Sequence, residues 1–376
     1  MKIYMLNCNT KKFILVTVLT TIVFVTLAFS LSIDNSFVTV EATKDPQVSS
    51  SSNQGKVFVM YAASLIKTFE DSFGPLFQKE TGYTYEGEAR GSVQVANMII
   101  DGLRRPDVFV SAGTTPIMKL MNSSTSNNNG GVGKSSSSTT TSLAEWLVKF
   151  ASAEMVIAYS PTSHFYSDLE KARIGEIPWY EVLSKQGFKF GRTDPELDPK
   201  GYYMIITAKL SNIYYNDSTI KQRILGDDDR NPKQIFPEEI LKTILEQGQL
   251  DAVAAYKHEA VARGLPYITL PSQINLADPA LFDFYRRAFY TLGTGQTVSG
   301  EPIYFSVTIP KIVKNPDGAI SFVSFLLSTK GKSILESQGL NYIKPVIEGN
   351  IDKTPSSIKN LLEPIKQLSW EYITTE

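Results

Sequence analysis

The chain has 376 residues, 42% hydrophobic and 20% charged, with 37 Lys and Arg against 38 Asp and Glu for a net charge of −1. That is enough chain for two or three domains' worth of core, and the balanced charge leaves no basic field for nucleic acid. The one cysteine, Cys8, and two histidines, His164 and His258, exclude a disulfide, a thiolate metal site and a thiol nucleophile beyond residue 8, and leave little for a histidine-rich metal centre or a Ser-His-Asp triad.

Lys2, Lys11 and Lys12 precede an uncharged apolar run over 13–33. Lysines ahead of such a run mark a signal peptide or signal anchor, with the lysines kept inside. A cleaved apolar core is usually ~7–15 residues, and ~20 suffice to span a bilayer. A cleaved signal and a retained anchor therefore both stay open; either way the remainder is exported. Residues 34–55, with a serine run at 49–52, predict a flexible linker.

The folded part opens at Lys56. Residues 57–62 predict a buried strand, and 65–80 a helix with Leu65, Phe69, Phe73, Leu76 and Phe77 on one face. A strand over 83–88, a helix over 93–103 and a strand over 107–111 follow. This β-α-β-α-β order predicts a parallel sheet covered by helices, with ligands at the carboxyl ends of its strands. The low-complexity stretch 122–142 predicts a disordered surface insert.

Residues 143–151, with Trp146, predict a short helix, and 154–160 (EMVIAYS) a strand entering a second lobe. A helical turn at 179–183 and a short strand at 188–191 lead into FGRTDPELDPKGYY at 190–203. Asp198-Pro199 there is a strong helix start, since Asp caps free N–H groups and Pro suits the first turn. The helix is predicted over 202–215, and its N-terminus would offer donors to an anion. Residues 217–237 read as a loop, whose triple Asp lacks the later Gly and Glu of a calcium loop. Next come a helix at 237–247, strands at 250–256 and 267–270, and an aromatic amphipathic segment at 281–292. A strand at 303–309 returns toward the first lobe, helices follow at 316–328 and 331–338, and a polar helix at 356–372 closes the chain.

Three polar turns recur where strands meet helices: Ala63-Ser64, Gly91-Ser92 and Asp198-Pro199-Lys200-Gly201. Each reads equally well as a simple cap. Ser64 and Ser92, however, follow successive strands of one sheet and so face one edge. Neutral hydroxyl and N–H donors there suit a small oxyanion. No nucleophile elbow, P-loop or HExxH is present, so no enzyme, catalytic residue or cofactor is expected. His258 and Glu259 read as a polar pair at a strand-to-helix turn.

With these motifs the chain resembles the substrate-binding proteins of molybdate/tungstate ABC transporters, especially the archaeal-type branch. The likeness rests on YAASL at 61–65, EARGSVQ at 88–94, DVFVSAG at 107–113, EMVIAYS at 154–160 and FGRTDPELDPKGYY at 190–203. It continues through LPSQINLADP at 270–279, SVTIPK at 306–311 and FVSFLLSTKGKSILESQG at 322–339. The resemblance implies an α/β, two-lobed periplasmic-binding-protein-like fold with a mixed sheet in each lobe. It implies a first lobe from 56–150 and 306–376, a second lobe from 151–305, and an anion held between them by a monomer that delivers it to an ABC permease. It implies Ser64 and Ser92 as ligands from the first lobe, and from the second Ser160, Asp198 and Tyr256. Archaeal-type relatives reach the metal atom of the oxyanion through carboxylates and raise its coordination from four to six. Asp198 matches one such carboxylate; the other position is Ala255, and Glu259 is the nearest replacement. A tetrahedral anion held by Ser64, Ser92 and Tyr256 is the alternative, as is another oxyanion, sulfate or phosphate.

Overall fold

The computed structural model describes residues 54–123 and 142–362. The apolar segment 13–33, nearly all of the linker, most of the 122–142 insert and the end of the 356–372 helix lie outside them. The described residues form one compact unit.

After β1 (Lys56–Ala62) the chain runs through helical turns to Thr81, with Phe69, Phe73 and Phe77 buried against Phe322. Then come β2 (Thr84–Arg90), the helix Ser92–Ile100 and β3 (Val108–Ala112). β1 pairs in parallel with both β2 and β3, as the β-α-β-α-β order requires.

Trp146–Ala153 is β4, not a helix. It lies between two strands made much later, β11 (Ile303–Thr308) and β12 (Asn341–Gly349), and all of it but Lys149 is buried. Burial on both faces erases the alternation that would have marked a strand. β12 went unread because Pro345 argues against a ladder; it is tolerated at an edge, where the register slips between Tyr342 and Val346. The first lobe is thus a mixed sheet in the order β12-β4-β11-β3-β1-β2.

The second sheet has the order β6-β7-β5-β8, from β5 (Met155–Tyr159), β6 (Phe190–Gly191), β7 (Ala252–Tyr256) and β8 (Tyr267–Thr269). β6 and β7 are parallel, and β5 runs against β7 and β8. The expected 217–237 loop contains a helix, Ile220–Leu225, that buries Ile220, Ile224 and Leu225. The aromatic segment at 281–292 splits into a turn of helix, Phe282–Tyr285, and β9 (Phe289–Thr291), paired with β10 (Thr297–Ser299). Of the closing helix, the described residues hold only Ser356–Lys359.

Two chain segments join the sheets: Glu154, between β4 and β5, and the stretch before β11. They meet at Asn275-Leu276, where Met155 N–H donates to the Asn275 carbonyl (2.8 Å) and Ile303 N–H to that of Leu276 (2.9 Å). Leu276 is buried with φ of 59°, a left-handed conformation costing a non-glycine residue roughly 1 kcal/mol.

Candidate functional site

The carboxyl ends of β1, β2 and β3 face the carboxyl end of β7 and the start of the Pro199–Tyr214 helix. Gln94 N–H donates to the Leu197 carbonyl (2.9 Å) from one lobe to the other. A Cβ built on Gly91 would meet that carbonyl oxygen at 2.5 Å and Asp198 Cβ at 3.1 Å, so only glycine lets the two turns approach this closely. His258 Nε2 lies 3.2 Å from the Ser64 carbonyl oxygen. A carbonyl only accepts, so Nε2 carries the proton. Burial pushes the His258 pKa down to about 4, so the ring is neutral.

Ser64 follows β1 in a 3₁₀ turn, and its hydroxyl is buried without a hydrogen-bond partner. Ser92 opens its helix; its Oγ accepts from Ala112 N–H (3.1 Å), leaving its proton free to donate. Tyr256 ends β7 and is almost wholly buried, and its hydroxyl too is without a partner. Burial, with Asp198 and Tyr202 nearby, raises its pKa well above the usual phenol, so it stays a donor. Buried polar groups in folded proteins nearly always find partners. Ser64 and Tyr256, one from each lobe, depart from that rule.

Asp198 caps its helix: its Oδ1 accepts from Lys200 N–H (3.0 Å) and Thr193 Oγ1 (2.9 Å). Its own N–H is spent on the Asp194 carbonyl (2.9 Å), and Gly201 N–H on the Asp198 carbonyl (3.1 Å). The expectation that this helix start holds an anion through free N–H groups is therefore corrected: the Asp198 cap and the local backbone bonds use them. Burial raises the Asp198 pKa, against the pull of Lys200 and the Thr193 bond.

Both oxygens of Glu259 are taken up by partners within the protein. Its Oε2 accepts from Tyr256 N–H (2.8 Å) and Lys200 Nζ (2.9 Å), and its Oε1 pairs with Lys242 Nζ (2.7 Å). Glu238 completes the set, its Oε1 2.6 Å from Lys200 Nζ and also bonded to Lys242. All four side chains are buried. Burial opposes the charge on both Lys200 and Glu259; at Lys200 the carboxylates of Glu238 and Glu259 outweigh it and raise the pKa, and at Glu259 Lys200 and Lys242 outweigh it and lower the pKa. Burial wins at Glu238, lifting it to about 8. The sequence reading missed this network. Its signal is Glu238 and Lys242 at the apolar-face positions of the helix Glu238–Glu246, beside Leu241 and Leu245.

Ser160 is the other correction. β5 opposes β7 so that Met155 faces Tyr256 and Tyr159 faces Ala252, which puts Ser160 at the far end of the sheet. Its Oγ is bonded to Thr162 Oγ1 (2.9 Å). The structure thus brings Ser64, Ser92, Asp198 and Tyr256 together, places Glu259 beneath them and leaves Ser160 apart. An open groove of about 450 Å³ runs beside the cluster, lined from both lobes by residues including Arg90, Gln94, Asp194 and Glu239.

The sequence model of the bacterial extracellular solute-binding protein family matches residues 57–341. The chain belongs to that family. Among its relatives, the molybdate/tungstate-binding protein WtpA of Pyrococcus abyssi is 32% identical over 333 residues, covering 82% of this chain and 90% of that one. The protein of the same name from Thermococcus kodakarensis is 29% identical over 347 residues, covering 86% and 91%. A solute-binding protein of Petrotoga mobilis is 32% identical over 316 residues, covering 82% and 90%. The Azotobacter vinelandii periplasmic molybdate-binding protein, 17% identical, superposes over 76% of this chain and 98% of its own with a TM-score of 0.50, a likeness of fold. The solute-binding family places this protein's work outside the cytoplasm, and its relatives bind solutes rather than transform them.

Proposed function

We propose that this protein captures molybdate or tungstate between its lobes as a monomer and hands it to an ABC permease, with residues 13–33 serving for export or as its anchor. The anion is tetrahedral in this reading, held by the hydroxyls of Ser64, Ser92 and Tyr256. The observation that carries it is the pair of buried, unpartnered hydroxyls on Ser64 and Tyr256, and the named relatives supply the anion. Glu259 has no oxygen left for six-coordination, being occupied by Lys200, Lys242 and Tyr256 N–H. Asp198 acts by shaping the turn that meets Gly91.

Calorimetric titration of the full-length protein with molybdate, tungstate, sulfate and phosphate tests this reading. Tight binding of the first two alone is expected; tight binding of sulfate or phosphate moves the substrate, and no binding sinks the site. The double change Ser64→Ala, Ser92→Ala should weaken binding by about 2–4 kcal/mol, at about 1–2 per hydrogen bond to a charged acceptor.

A further inference from the structure

Tyr202 and Tyr203 stand side by side in the first turn of the Pro199–Tyr214 helix. Neighbouring helical residues point about 100° apart, so burying both calls for walls on two sides. Here neither ring is exposed, and their centroids lie 4.7 Å apart, edge to face. Both hydroxyls are buried without a hydrogen-bond partner.

The two hydroxyls converge on Gly113, just past β3. A Cβ built there would lie 3.1 Å from Tyr203 Oη and 3.6 Å from Tyr202 Oη. Gly113 does not satisfy them. Its N–H donates to the Tyr304 carbonyl (2.8 Å), and its carbonyl accepts from Ser306 Oγ (3.0 Å). Thr115 beside Tyr202 and the Glu301 carboxyl beside Tyr203 are near enough to act on the two phenols, but neither hydroxyl reaches a partner at full hydrogen-bond distance and angle. The preceding residue, Ala112, donates to Ser92 Oγ (3.1 Å), so the pair stands next to one of the serines of the cleft. Tyr256 is close enough on the other side to act on both tyrosines electrostatically. Burial holds both phenols protonated.

We propose that the Tyr202 and Tyr203 hydroxyls donate to the bound oxyanion and, with Gly113 leaving the room, set the size of anion that the closed cleft accepts. This rests on the oxyanion reading above. It adds two donors from the second lobe to Tyr256, opposite the two serines. An anion with four acceptor oxygens and long central bonds is the ligand class that five such donors on opposing walls suit.

The test compares the full-length protein with Tyr202→Phe and Tyr203→Phe, titrated with molybdate, tungstate and sulfate, with the Tm recorded before and after ligand. Each change should weaken binding of the preferred anion about ten- to a hundred-fold. The ligand-free Tm should hold or rise, because phenylalanine removes a hydroxyl that no protein group satisfies. If the wild type binds tightly and both variants match it within about twofold, the inference fails while the oxyanion reading stands. A ligand-free Tm that falls in either variant also overturns it, by revealing a bond within the protein to Thr115 or Glu301. A wild type that binds none of the three ions removes both.

Discussion

His258 ties the lobes together by donating from Nε2 to the carbonyl of Ser64, and it does so neutral. Its folded pKa of about 4 lies below the ordinary 6.5, so the unfolded chain takes up the proton first. Its contribution to stability is whole above pH 6.5 and is lost as the pH falls toward 4, on the order of 3 kcal/mol in all. Denaturant midpoints measured from pH 7 to 4 should show that loss in the wild type and a shallower one in His258→Gln. At this scale, the positions of Ser64, Ser92, Asp198 and Tyr256 at strand ends and helix starts were legible, because each lies within a few residues of its motif. Glu259 was not: the partners that occupy it, Lys200 and Lys242, are remote in the chain. Ser160 was misplaced because a strand's composition carries no direction, and β5 runs against β7.

The Pro199–Tyr214 helix is the element on which the second wall depends. Gly201 sits in its first turn against the loop that precedes it; an added Cβ would stand 2.6 Å from both Pro195 N and the Thr193 carbonyl oxygen. Backbone cannot step aside as a side chain does, so Gly201→Ala should cost about 1–3 kcal/mol of stability. Thermal unfolding measures this, and the variant should also bind more weakly, since Asp198 and Thr193 would no longer hold the turn. The helix start was plain in the sequence from Asp198-Pro199, and the first three parallel strands from their alternation with helices. The β4 strand was not, because a strand buried on both faces shows the same unbroken apolar run as a core helix. Nothing local distinguishes them; only the later arrival of β11 and β12 does.

Across the whole molecule, Arg90 of the first lobe lies 3.6 Å from Glu239 of the second at the rim of the groove. Both side chains are partly exposed, and such pairs contribute at most about 1 kcal/mol. Arg90→Ala should therefore weaken anion binding no more than about fivefold. Stopped-flow displacement should place that loss in faster release, because the pair forms once the walls have met. Ligand should also stabilise the two lobes together. At a hundred times Kd the gain is about 2.7 kcal/mol, read as one cooperative rise in Tm.

The first sheet also imposes an order of assembly. β4 (Trp146–Ala153) is flanked by two strands synthesised much later, β11 (Ile303–Thr308) and β12 (Asn341–Gly349), while the second lobe comes from the chain between β4 and β11. A chain emerging from its amino end can complete the second lobe while the first still lacks half its hydrogen-bonded neighbours. Pairings so distant in sequence form slowly, so the nascent chain keeps an unfinished sheet until its last quarter appears. The cleft between the lobes is therefore the last part of the molecule to take shape, since one of its two walls waits for the end of the chain.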